Sequence, residues 1–203
     1  MVDHMKEQVL IQPLEIDMIT RKIFPFLVAA FLMVSFSSAA QAEFFSISAG
    51  VPVSHNLSNS NLESDGVSGY LVHFKLPIMI GLGMESYETK IKYSDPSVSD
   101  MKLATNMVDI FWLTPIPVIN VTLGAGVGTA DLSCSVADGT KCSSYYDKGA
   151  VTQLWAQLGI SPIPFLDVHV SYHSVSGDVK GKGSNSDLNV GGTVIAVGAS
   201  IIF

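Results

Sequence analysis

In Phe45-Ser-Ile-Ser-Ala-Gly-Val-Pro-Val53, Ile119-Asn-Val-Thr-Leu-Gly-Ala-Gly-Val127, Leu166–Tyr172 and Thr193–Phe203, apolar side chains recur at every second position. A two-residue period gathers them on one face of a pleated strand, and no α-helix can align them. Weaker alternation over Val67–Leu76, Ile80–Lys90, Leu103–Leu113 and Ala150–Ile160 brings the set to eight strands, each of about 9–11 residues. Nothing from residue 43 onward has the spacing of an amphipathic helix.

The connections alternate in kind. Leu76-Pro-Ile-Met79, Thr114-Pro-Ile-Pro117 and Ser161-Pro-Ile-Pro164 are tight and share a proline, which cannot donate to a sheet ladder and so belongs in turns. The other connections, residues 55–66, 91–102, 131–149 and 176–189, are longer and rich in Ser, Asn, Asp and Gly. Short turns at one end and long polar loops at the other predict an all-β, eight-stranded antiparallel up-and-down barrel.

Composition decides which face is inside. The chain is 48% hydrophobic and 14% charged, with a mean hydropathy of +0.40, whereas a soluble domain carries about 25–35% charged residues on its surface. No apolar run reaches the roughly 20 residues of a spanning helix. Charge within the strands is confined to Lys75, Glu85, Asp109 and Asp167, with Glu88 and Lys90 near a loop. The rest of the second face is Ser46, Ser48, Asn106, Asn120, Thr122, Gly124, Gly126, Gln153, Gln157 and Ser171. Small and amide-bearing side chains suit a narrow lumen where donors need nearby acceptors. The Val, Ile, Leu and Phe faces then meet lipid, which makes the barrel transmembrane. A soluble, lipocalin-like barrel would need charge along its outer strands. A single arginine, Arg21, and a net charge of −7 exclude nucleic acid as a partner.

This pattern resembles the small eight-stranded outer-membrane barrels of Gram-negative bacteria. The C-terminal strand carries the most specific part of the likeness: Ile195, Val197, Ala199, Ile201 and the terminal Phe203 are similar to the barrel-insertion signal of that group. The resemblance implies outer-membrane lipid and the barrel-insertion machinery as partners. Tyr70, Phe74, Trp112 and Tyr172 are candidates for a thin aromatic girdle.

Ahead of the strands, Arg21-Lys22, the apolar block Ile23–Phe36 and the ending Ala40-Gln-Ala42 make a secretory signal peptide over residues 18–42, cleaved after Ala42. Met18 is the expected start, residues 1–17 a gene-model extension, and residues 43–203 the barrel domain. In an oxidising compartment Cys134 and Cys142 are expected to pair as a local loop staple.

His73, Lys75, Glu85, Asp109, Asp167, His169 and His173 form an expected lumenal polar network. Buried charges must be compensated, so its simplest role is an ion-paired plug. A narrow channel for small or hydrophobic solutes is the alternative. His169-Val-Ser171 resembles the His-x-Ser pair of lipid A deacylase barrels, but Tyr172 stands where that family has Asn and no glutamate follows on the next strand. No metal-ligand spacing, nucleophile elbow or nucleotide loop appears, so no catalytic residue, metal or cofactor is expected. Loop 131–149, bearing Tyr145 and Tyr146, is the candidate site for an extracellular ligand. The expected function is a non-enzymatic outer-membrane protein with an envelope-structural or surface-interaction role through its loops.

Overall fold

The computed structural model describes Phe45–Phe203 apart from residues 94–97, 117–118, 137–138 and 164. The expected start, signal segment and cleavage site lie outside the described residues.

Eight long antiparallel strands form the wall: β1 (Ser46–Leu57), β2 (Leu62–Lys75), β3 (Ile80–Tyr93), β4 (Val98–Ile116), β5 (Ile119–Val136), β7 (Gly149–Ile163), β8 (Leu166–Gly181) and β10 (Gly192–Ile202). Each pairs with its neighbour along the chain, and β10 pairs with both β8 and β1, closing the ring. At the seam the Phe203 N–H donates to the Phe45 carbonyl at 2.9 Å. Closure leaves no unpaired edge, which hydrocarbon would penalise by several kcal/mol per backbone group.

The three tight turns sit at one end. Leu76–Met79 links β2 to β3, with Met79 at φ 63 and its N–H donating to the Leu76 carbonyl at 3.2 Å. Ile116 pairs with Ile119, and Ile163 with Leu166. Pro115 and Pro162 close strand ends instead of occupying the turns themselves, while Pro117 and Pro164 lie outside the described residues. Pro52 is tolerated within β1 because it falls at a bulge between Pro52 and Ser54, beyond the rungs shared with β2.

The strands are longer than expected, up to 19 residues in β4 and 18 in β5. Much of the sequence assigned to polar loops at 55–66, 91–102, 131–149 and 176–189 is therefore strand. The reason is an exchange of faces partway along the barrel. Toward the turn end, the outward positions are apolar: Trp112, Ile110 and Val108 on β4, Ile119 through Val127 on β5, Leu158 and Leu154 on β7. Inward positions there are polar: Ser48, His73, Glu85, Asp109, Thr122, Gln153 and Ser171.

Outward Ser68, Ser86, Asn106, Thr129, Thr152 and Ser174 mark a polar level above this band. Beyond them the outer wall carries Glu63, Glu88, Lys90, Lys92, Lys102, Asp131 and Lys180. The interior at this height is apolar, with Leu62, Tyr87, Ile91, Met101, Leu103, Leu132, Val151, Val175, Val179 and Val194 in one buried cluster. The turn-end half is built as a membrane barrel and the loop-end half as a water-soluble one. Asn106, expected in the lumen, faces outward and accepts a hydrogen bond from Ser86 Oγ at 2.8 Å. It belongs to the polar level and not to the lumen.

The apolar outer run on β5 covers roughly nine residues, which at the usual tilt is roughly 20–25 Å along the axis, matching the apolar band of a spanning barrel. Trp112 is 61% exposed and Leu154 70%. An apolar belt of this extent is untenable in water. Among the described residues no helix is long and apolar enough to cross a membrane; the strands make the crossing. Tyr70 and Tyr172 sit at the upper margin of the belt and Phe74 and Trp112 toward the lower, all half or more exposed except Phe74 at 39%. Ile195, Val197, Ala199 and Ile201 point outward from β10, and Phe203, just past its end, is exposed.

Beyond β5 the chain runs through a 3₁₀ turn, Cys142–Ser144, into the two-residue strand β6 (Tyr146–Asp147), which pairs with Gly181 and Lys180 at the end of β8. β9 (Leu188–Asn189) pairs back onto β8 through Val179 and Asp178. A disulfide joins Cys134 and Cys142, Cα atoms 5.0 Å apart, and both cysteines are buried in the loop-end cluster. The bridge thus fastens the longest connection onto the upper core.

Candidate functional site

Alternation on β2, β3, β4, β7 and β8 sends His73, Glu85, Asp109, Gln153, Trp155, Ser171 and His173 into the lumen just below the apolar core. Glycines make the room. A Cβ on Gly83 would collide with the His73 ring, one on Gly124 with the Trp155 indole, and one on Gly126 with the Asp109 carboxylate.

Glu85 lies at the centre of this group. Its Oε1 is 3.2 Å from His173 Nδ1 and 3.6 Å from His73 Nε2. Both imidazoles stack on the Trp155 indole, at centroid distances of 5.0 Å for His73 and 5.5 Å for His173. Phe111 closes the remaining side, edge-on to His73. Gln153 Nε2 donates to Asp109 Oδ1 at 2.6 Å. Glu85 on β3 and His173 on β8 stand four strands apart in a ring of eight, so opposite walls of the barrel touch here. An eight-stranded barrel is only wide enough for side chains to fill, and this one is filled.

The remaining lumenal residues lie lower. Lys75 and Asp167, both buried, line a cavity of about 40 Å³ near the turn end with Ser48, Asn120, Gln157, Trp155 and His73. Asn120 Nδ2 donates to Asp167 Oδ2 at 2.7 Å. His169 Nδ1 is 3.3 Å from Asp167 Oδ1, and its Nε2 is 3.2 Å from Ser48 Oγ. The seven lumenal residues expected from the sequence therefore divide into two groups: His73, Glu85, Asp109 and His173 above, Lys75, Asp167 and His169 below.

His169 and Ser171 do not pair. Ser171 Oγ is 2.8 Å from His173 Nε2 instead. Ser171, His173 and Glu85 follow one another in the order of a hydrolase triad, but Ser171 and His173 are sealed inside the barrel and the turn-end cavity does not reach Ser171. Sequence reading missed the Ser171–His173 pair. The i, i+2 spacing of Ser171 and His173 on one strand face was the available signal.

At the loop end the wall carries ion pairs: Lys92–Asp65 at 2.9 Å, Lys102–Glu88 at 3.0 Å, Lys148–Asp131 at 3.2 Å and Lys182–Asp147 at 3.0 Å. Lys180 pairs with Asp187 at 2.6 Å, and together with the Gly181 N–H it holds the Asp187 carboxyl below the usual carboxylate range. Tyr145 is exposed at the rim, whereas Tyr146 packs against the upper core.

Closed ring, apolar outer belt and short turns at one end define an eight-stranded transmembrane β-barrel. Solved structures of outer-membrane barrels share the fold. The attachment invasion locus protein Ail of Yersinia pestis, in complex with the heparin analogue sucrose octasulfate, superposes with a TM-score of 0.52 at 16% identity over 78% of this chain and 97% of that one. Outer membrane protein W of E. coli gives 0.51 at 11% identity, over 80% and 99%. The N-terminal barrel domain of Pseudomonas aeruginosa OprF gives 0.51 at 11% identity, over 80% and 100%. No protein-family model matches the chain, and no curated protein matches it in sequence.

Proposed function

We propose that the chain is exported, loses residues 18–42 by cleavage after Ala42, is inserted by the barrel machinery of a Gram-negative outer membrane, and serves there as a non-enzymatic surface protein whose loop end meets an extracellular partner. The observation that carries this function is the construction of the loop-end half: an apolar-cored, charge-covered barrel, fastened by Cys134–Cys142, standing on a lumen that Glu85 and His173 occlude. A rigid platform binds at lower entropic cost than a mobile loop. Ail, named for attachment and invasion, is a barrel of the same fold.

Residues 131–149, with Tyr145 exposed at the rim, are the proposed contact surface. Cells carrying the barrel should adhere to ligand-coated surfaces or resist detergent better than cells in which residues 137–148 are replaced by a short Gly-Ser link. Equal behaviour of the two strains would refute the proposal. Purified barrel in planar bilayers should show no steady conductance; open-channel steps would make it a channel. Ser171→Ala should leave the lipid A mass spectrum unchanged, and a change would make it an enzyme.

A further inference from the structure

Along the chain His73, Glu85 and Asp109 have no metal-ligand spacing, yet the barrel brings them together. His73 Nε2 and one carboxylate oxygen from each of Glu85 and Asp109 all lie within 4.8 Å of one another. All three side chains are more than nine-tenths buried, at 5%, 2% and 2% exposure. His73 Nε2, both Glu85 oxygens and Asp109 Oδ2 have no hydrogen-bond partner. Gln153 answers Asp109 Oδ1 and His173 Nδ1 stands 3.2 Å from Glu85 Oε1, but two carboxylates and an imidazole still converge in a low-dielectric lumen with Glu85 Oε2, Asp109 Oδ2 and His73 Nε2 unbonded, an arrangement that a positive centre between them would compensate.

From this geometry we propose that His73, Glu85 and Asp109 bind one divalent transition-metal ion of the zinc class. Donors about 2.1 Å from a tetrahedral ion stand about 3.4 Å apart, and His73 Nε2 already lies 3.6 Å from Glu85 Oε1. An imidazole with two carboxylates and no thiolate selects zinc and its first-row neighbours over copper(I), and over calcium or magnesium, which take oxygen ligands. The surrounding residues act as the outer shell that orients such ligands. Gln153 occupies Asp109 Oδ1 and leaves Oδ2 for the ion. His173, held by Ser171 at 2.8 Å, contacts Glu85 Oε1 from the opposite wall at 3.2 Å and fixes that carboxylate in place. Gly83 and Gly126 supply space that a Cβ would take from His73 and Asp109. His73 also lines the turn-end cavity, on whose margin the cluster therefore stands.

The site is independent of what the loop surface binds. The test uses the full barrel, purified in detergent, stripped with a chelator, equilibrated with Zn²⁺ alone and desalted. Wild type should retain close to one zinc per barrel. Glu85→Gln and Asp109→Asn should each weaken retention at least tenfold, and Asp187→Asn, at a surface ion pair, should not. The mobility difference between unboiled and boiled samples verifies that each variant is folded. Where a variant does not fold, zinc-edge X-ray absorption of wild type decides: imidazole scattering in an all-N/O shell is expected. No zinc retained above the boiled control, equal retention in folded Glu85→Gln and Asp109→Asn, or a spectrum without imidazole would each overturn the proposal.

Discussion

Exchange of faces along β4 can be tested by three substitutions on that one strand. Leu103 is fully enclosed, 0% exposed, in the loop-end cluster. Leu103→Ala removes its packing and leaves a cavity, which costs about 2–5 kcal/mol. A value of about 3 kcal/mol lowers the folding constant roughly a hundredfold. The next residue, Ala104, points outward between Glu88 on β3 and Asp131 on β5. Lysine there faces water and two acidic neighbours, so Ala104→Lys should cost nothing or stabilise by a few tenths of a kcal/mol, about 0.2–1 at most. Ile110, six residues further on and also outward, is 56% exposed within the apolar belt. Ile110→Lys should cost about 2–4 kcal/mol, the penalty for a cation on a lipid face near mid-bilayer.

Reversible urea unfolding in lipid vesicles, followed by the fluorescence of Trp112 and Trp155, measures all three. A barrel that is apolar outside and polar inside along its whole height would reverse the first two results. If Ala104→Lys costs as much as Ile110→Lys, or Leu103→Ala costs under about 1 kcal/mol, the exchange of faces is refuted.

Two further outcomes follow from the loop end. Cys134 and Cys142 are separated by 8 residues, and the entropy of closing so short a loop is worth on the order of 2.5 kcal/mol; Cys142→Ser should lower the urea midpoint accordingly, and reduction of wild type should do the same. Lys180 and the Gly181 N–H depress the Asp187 carboxyl below its ordinary 3.8, so the pair's contribution is complete above that pH and disappears as pH falls through the lower folded value. Carboxyl ¹³C titration should place Asp187 below 3.8, and Lys180→Ala should move it back up; a midpoint unchanged by that substitution would refute the pairing.

Strand count, tight turns, barrel closure and the lumenal position of His73, Glu85 and Asp109 were legible because a single alternation phase persists through the turn-end half. The upper half was not, because the apolar residues change phase: in Met101-Lys-Leu-Ala-Thr-Asn-Met-Val-Asp-Ile they fall at odd positions up to Met107 and at even ones from Val108. On a single strand that change reads as the end of the strand and the start of a loop, although the backbone continues unbroken. Asn106 was misplaced for the same reason. The meeting of Glu85 with His173 was hidden more deeply. Adjacent strands can be inferred from chain order, but contact between opposite walls depends on the barrel's radius and on shear, which sets which rungs face each other.

The seam between β1 and β10 joins Ser46 to Ile202, among the longest sequence separations the described chain offers. Every other wall contact can form as a hairpin between neighbours, but this one waits for the last strand to arrive. Loop closure over so many residues is slow, and until it occurs both β1 and β10 present bare edges to hydrocarbon. The barrel therefore has no half-finished form that is stable in a bilayer. Its commitment to the membrane is a single late event, and a chain missing β10 should be a substrate for degradation and not a smaller barrel.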